Sequence, residues 1–155
     1  MPARVFEIDS SEAKALKKLL EYDPYLDKSK IPETPKEWDD PKFFDKHPEL
    51  REEAEKRRIM VQEALKKLSE DKYANVIFAR QSCDLREGAM LGLDGKKSYL
   101  YLKASDEFLK LAEEKLKLNL KSVKRASQSD EAKVIGIIGE EESKGNAGMG
   151  MIFGG

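Results

Sequence analysis

Five of the six prolines in this chain fall between Asp23 and Pro48. Each fixes φ and removes an amide donor, so neither a long helix nor a central strand can run through that stretch. The segment also carries Tyr25, Trp38, Phe43 and Phe44, large side chains for which a freely solvated linker has no use. The expectation is a proline-rich irregular arm over about 23–48 that wraps the domain with its aromatics inserted. Irregular segments of this length also serve as binding arms or lids.

Regular patterns flank the arm. "RVFEI" at 4–8 alternates as a short strand, and "DSSEAKALKKLLEY" offers Asp9, Ser10 and Ser11 as N-caps before Ala13, Leu16, Leu19 and Leu20 at helical spacing, predicting a helix over about 11–22. "HPELREEAEKRRIMVQEALKKLSED" is the clearest helix, with Pro48 at its start, acids in its first turns and Lys66 and Lys67 near its end, all complementing the macrodipole. From Tyr73 the period changes to two: "ANVIFARQ", "GAMLGL" and "KKSYLYLKA" read as three strands, with Asp94-Gly95 as the hairpin turn between the last two. "SDEFLKLAEEKLKLN" returns to helical spacing behind Ser105, and "LKSVKRAS" and "KVIGIIG" read as further strands. The order implies an α+β fold: a mainly antiparallel sheet containing a three-stranded meander (about 74–103), with helices packed on one face. One domain over 1–143 and a Gly/Met-rich tail over 144–155 are expected for a chain of 155 residues.

Composition narrows the function classes. Charged residues make up 38% of the chain, yet 29 Lys+Arg nearly cancel 30 Asp+Glu, so no global field attracts nucleic acid or anionic membrane and any polyanion site has to be local. The preference for Lys and Glu over Asn, Gln and Cys is what ion-pair networks at high temperature call for, and points to a thermophilic source. Cys83 is the single cysteine, which rules out an intrachain disulfide and a paired-cysteine metal site. The first twenty residues carry a charge every few positions and no apolar run of signal or membrane length, so a cytoplasmic protein is expected.

Motifs for chemistry fail on geometry. "GLDGKKSYL" resembles a phosphate loop, but the glycine required five places before Gly95 is Met90; "GIIGEEESKGNAG" lacks the glycine spacing of a dinucleotide cradle. His47 and Cys83 are the sole base and thiol, with nothing in the spacing to join them. The "EEE" run at 140–142, on the extended chain expected there, points to alternate faces and cannot share one cation. No catalytic residue, metal site or cofactor is expected, and an enzyme ranks third among the readings.

The leading expectation is non-enzymatic binding of single-stranded nucleic acid or RNA. Alternation in "KKSYLYLKA" sends Leu100 and Leu102 to one face and Lys97, Tyr99, Tyr101 and Lys103 to the other. With Asp94-Gly95 as the turn, Met90 lies opposite Tyr99 and Gly88 opposite Tyr101. That describes an aromatic platform for stacked bases with cations for phosphates, extended by Phe78 and Arg80. Lys121, Lys124 and Arg125 belong to the densest run of cations with no acid between them. The alternative is a protein-interaction or self-assembly module that uses the proline-rich arm, the long helix or the tail, where Met149, Met151, Ile152 and Phe153 would dock on protein.

Overall fold

The computed structural model of the chain describes the backbone of residues 1–153 and the side chains of residues 1–144. Two compact units emerge, one formed by Met1–Tyr22 with Phe78–Gly155 and the other by Asp23–Ile77. The first is α+β. Its elements are β1 (Ala3–Asp9), α1 (Ala13–Glu21), β2 (Ser82–Glu87), β3 (Lys97–Lys103), α4 (Asp106–Asn119), β4 (Lys124–Arg125) and α5 (Gln128–Phe153). The second consists of the arm, with the short α2 (Phe43–Lys46), followed by α3 (Arg51–Glu70).

The α+β class and its antiparallel sheet agree with the sequence, while the segments that build the sheet differ. Strand order is β2-β3-β1-β4, all antiparallel, so the partner of β1 is β3, with Val5 opposite Tyr101 and Phe6 opposite Leu100. Within 74–103 two strands form rather than three. "ANVIFARQ" is no strand: Val76, Ile77 and Phe78 are all buried in succession, and the amides of Val76 and Gln81 bond locally to the Tyr73 and Phe78 carbonyls. None of these residues pairs in the sheet, and Phe78–Arg80 is a 3-10 turn. "GAMLGL" is likewise a 3-10 turn, Gly88–Leu91, closed by Gly92 at φ 70. A Cβ on Gly88 would stand 1.9 Å from the Asp94 carbonyl oxygen, so glycine there admits a loop folded back on itself. The pairing expected for that hairpin therefore changes: Arg86 of β2, and not Met90, lies opposite Tyr99, and Asp84, not Gly88, lies opposite Tyr101.

The segment after α4 also departs from expectation. Glu12 accepts the amides of Lys121 (3.0 Å) and Ser122 (2.7 Å), and Ser122 Oγ accepts the Asp9 amide at 3.0 Å. With those groups engaged in a turn, two residues of "LKSVKRAS" remain to pair with Phe6 and Glu7 as β4. "KVIGIIG" belongs to α5 rather than to a strand. Ser127 accepts the Asp130 amide on its side chain (3.2 Å) and the Glu131 amide on its carbonyl (2.8 Å), which starts the helix there. Val134 and Ile138, four residues apart, are both buried.

This helix gives the sheet a second covered face. Val5, Tyr99, Tyr101 and Ala126 of the sheet and its edge pack in one core cluster with Val134 and Ile138 of α5 and with Leu91. Phe6, Ile8, Leu100 and Leu102 take the opposite face by alternation. They are fully buried together with Leu16 of α1 and Leu109, Ala112 and Leu116 of α4. Helices thus lie on both faces, against the expectation of one.

Glu131 ties α5 to the sheet. Its carboxylate accepts the Val5 amide at 3.0 Å and pairs with Arg125 at 2.9 Å. Burial opposes its ionisation, but the Arg125 guanidinium and the Val5 amide outweigh that effect and hold its pKa below the ordinary 4.5. A carboxyl with a lowered folded pKa contributes stability that is complete above its ordinary value and lost as pH falls through the folded one. Glu131→Ala is expected to cost about 1–3 kcal/mol at neutral pH, since the buried Val5 amide loses its partner. In denaturant titrations, the gap between the parent and Glu131→Gln should be present at neutral pH and close in acid below the folded pKa.

Candidate interaction surfaces

The structure seals the tyrosine face. Tyr99 is 2% exposed and Tyr101 4%, both under α5. Burial, then the nearby carboxylates, pushes both phenols above their ordinary pKa. Neither ring is accessible to a base, so the stacking platform expected from alternation does not form. The difference arises because "KVIGIIG" is part of α5, whose Val134 and Ile138 cover these rings.

The remaining residues of that expected site are not assembled around a free surface. Phe78 is buried, edge-on to Phe108 with ring centroids 6.1 Å apart, and the Lys115 ammonium lies 5.8 Å from its ring. Lys97 pairs with Asp9 at 2.7 Å, Lys124 with Glu7 at 3.1 Å, and Arg125 with Glu131. The Lys121 amide, 3.0 Å from the Glu12 carboxylate, is part of the α4–β4 turn. Arg80 is exposed at the end of the 3-10 turn Phe78–Arg80, and Lys103 is half-buried at the end of β3. Cations already matched to carboxylates within the fold offer little net field to phosphate. Met149, Met151, Ile152 and Phe153 lie outside the residues whose side chains are described.

Cys83 and His47 are each engaged locally. The Cys83 thiol is half-buried, 3.4 Å from the Phe78 carbonyl, and burial pushes its pKa up to about 11, so it is not a thiolate at neutral pH. His47 stacks on Phe43 at 4.6 Å between centroids and lies 3.5 Å from Glu49, within the other unit. Among the described residues no group of three or more His, Cys, Asp and Glu side chains could hold a metal ion. Among them, too, no helix is long and apolar enough to cross a membrane.

The Asp23–Ile77 unit presents the open surface. Its prolines divide the arm into short turns, Pro24–Leu26, Lys36–Asp39 and Pro48–Leu50, around α2. Asp23 and Asp27 close turns through their side chains onto the Tyr25 and Ser29 amides, both at 2.9 Å. Arg57 of α3 donates to the Glu33 carbonyl and stands 6.0 Å from the Trp38 ring, fastening arm to helix. Trp38, Phe43 and Phe44 form a chain of rings at 6.4 and 5.4 Å. Even so, from Tyr25 to Asn75 no residue is fully buried. Trp38, Phe44, Ala54 and Val61 line an open groove of about 520 Å³. Of its rim charges, Arg58 pairs with Glu55 and Arg51 with Asp45 at 3.2 Å, while Asp39 makes no ion pair among the described residues.

Replacing Tyr99 by Ala should lower stability by about 3–5 kcal/mol, the cost of emptying a large buried aromatic site, as read from a denaturant midpoint. A wetted tyrosine would cost a small fraction of that. Comparison of the chain with protein-family models, with curated proteins and with solved structures finds no match.

Proposed function

We propose that this protein is a self-associating interaction module whose contact surface is the arm and long helix of the Asp23–Ile77 unit. The observation that carries this reading is the absence of any fully buried residue between Tyr25 and Asn75, in a segment that holds Trp38, Phe43, Phe44 and a 20-residue helix. Ordering a backbone costs about 1–2 kcal/mol per residue. A unit that buries its aromatics halfway recovers little of that, and covering the groove recovers more.

The chemistry of the groove indicates an apolar cover. Its floor is Trp38, Phe44, Ala54 and Val61, with Leu65 exposed one turn beyond Val61, and its rim pairs are internally satisfied. A charged ligand would have to break those pairs. A second copy carries the same floor, and Lys and Arg nearly balance Asp and Glu across 23–77, so two copies do not repel one another. An isologous two-fold contact of this kind buries both grooves at once.

Light scattering after size exclusion is expected to give a dimer mass at micromolar concentration. Trp38→Ala should weaken that dimer by about 2 kcal/mol, roughly a 30-fold rise in its dissociation constant. Val61→Glu should leave a monomer with an unchanged circular dichroism spectrum. A monomer at all concentrations would overturn the reading in favour of a different protein partner.

A further inference from the structure

We propose that the outer edge of β2 is a strand-addition site for an extended acidic peptide, distinct from the arm–helix surface. β2 is the terminal strand of the sheet and pairs with β3 alone. Among the described residues, none of its backbone groups is hydrogen-bonded on the other side. An edge of this kind presents alternating amides and carbonyls to any extended chain laid beside it.

Two openings flank that edge, meeting along Leu85, Arg86 and Glu87, which line both. On the α1 side a cleft of about 320 Å³ is lined by Ala13, Lys14 and Lys17 of α1 with Leu85, Glu87 and Ser98 across from them. On the α5 side an opening of about 450 Å³ is lined by Asp84, Arg86, Met90 and Glu141. A strand added between them would place successive side chains alternately in the two.

Charge sets what those side chains are. Lys14 and Lys17 are exposed on one face of α1 and make no ion pair among the described residues, unlike Lys97, Lys124 and Arg125. Glu87 is the one carboxylate lining their cleft, which leaves a positive excess. Two carboxylates at alternate positions of a strand stand about 7 Å apart. Two lysines three residues apart on a helix are separated by about 5–6 Å at Cβ, and their flexible stems close the difference. On the opposite side Arg86 is already held by Asp84 at 2.8 Å and Glu141 at 2.7 Å, and Met90 is 78% exposed. That side requires no ion and offers an apolar contact. The peptide so specified alternates acidic and aliphatic residues over the six-residue length of β2.

The probe is a fluorescein-labelled peptide of sequence Thr-Glu-Val-Glu-Val-Thr, titrated by fluorescence polarisation against the full chain. Saturable micromolar binding is expected, weakened at least about tenfold by Lys14→Glu with Lys17→Glu. Both lysines are exposed, and an unchanged circular dichroism spectrum confirms that this variant folds. Two further peptides carry N-methyl groups on both glutamate amides or on both valine amides. Amides of alternate residues point to the same side of a strand, so one methylated peptide should lose binding and the other retain it. Absence of saturable binding overturns the proposal, as does equal binding of the two methylated peptides, which would mean charge attraction without strand pairing. Self-association that is lost on Leu85→Pro would assign the edge to a second copy and overturn the peptide reading. Trp38→Ala should bind the probe like the parent, so failure here and failure of the arm–helix reading are separately visible.

Discussion

Everything in the Met1–Tyr22 and Phe78–Gly155 unit depends on β3 being buried on both of its faces. Ser98 through Leu102 are sealed, with Tyr99 and Tyr101 under α5 and Leu100 and Leu102 against the side that carries α1 and α4. A central antiparallel strand with no solvent face has to be apolar or amphipathic throughout, and tyrosine serves because its ring can be buried while its hydroxyl tolerates a polar margin. The polar groups around β3 follow from this. Lys97 reaches Asp9 at one end, and the carboxylates of Glu131 and Glu141 on α5 hold β1 and β2 through the Val5 amide and Arg86. Two of the ion pairs of this unit, Arg125–Glu131 and Arg86–Glu141, join α5 to the strands, while Lys97–Asp9 and Lys124–Glu7 join strand to strand.

The sequence carried much of this fold. Spacing places α1 and α4 within a residue or two, and Ser105 caps α4 onto the Phe108 amide as its position implies; α3 begins at Arg51, behind a 3-10 turn at Pro48–Leu50, and neither α1 nor α3 has a side-chain cap. The strand "KSYLYLK" is where alternation puts it. The segments that differ share one property. "VIFAR", "AMLGL" and "VIGIIG" are short apolar runs, and short runs do not distinguish a strand from a buried turn or helix. For α5 a better signal was present: Ser127 three places before Asp130, with Glu131 beside it, is a helix start. Gly136 and Gly139 masked it, although an added Cβ at either would meet nothing within 4 Å. The role of the last strand was less legible, because Glu12 bonds to Ser122 across 110 positions and no local pattern announces that.

The helical state of α5 bears more on function than on fold class. As a strand this segment would leave the tyrosine face open beside cations; as α5 it makes the rings core, and Lys97, Lys124 and Arg125 pair with carboxylates. The surfaces left unpartnered are of another kind. In the Asp23–Ile77 unit they are half-buried aromatics against a helix with no buried residue, and at β2 they are an unpaired edge beside two unmatched lysines. The two proposals rest on these features, one on apolar cover and the other on backbone pairing and charge.

Amide hydrogen exchange followed residue by residue tests the account most directly. The amides of Tyr99–Leu102 and of α5 around Val134 and Ile138 should share the highest protection and exchange together, as parts of one cooperative core. Rapid exchange along α5 while β3 stays protected would contradict it, because the helix would then not be the lid that keeps the tyrosines from water.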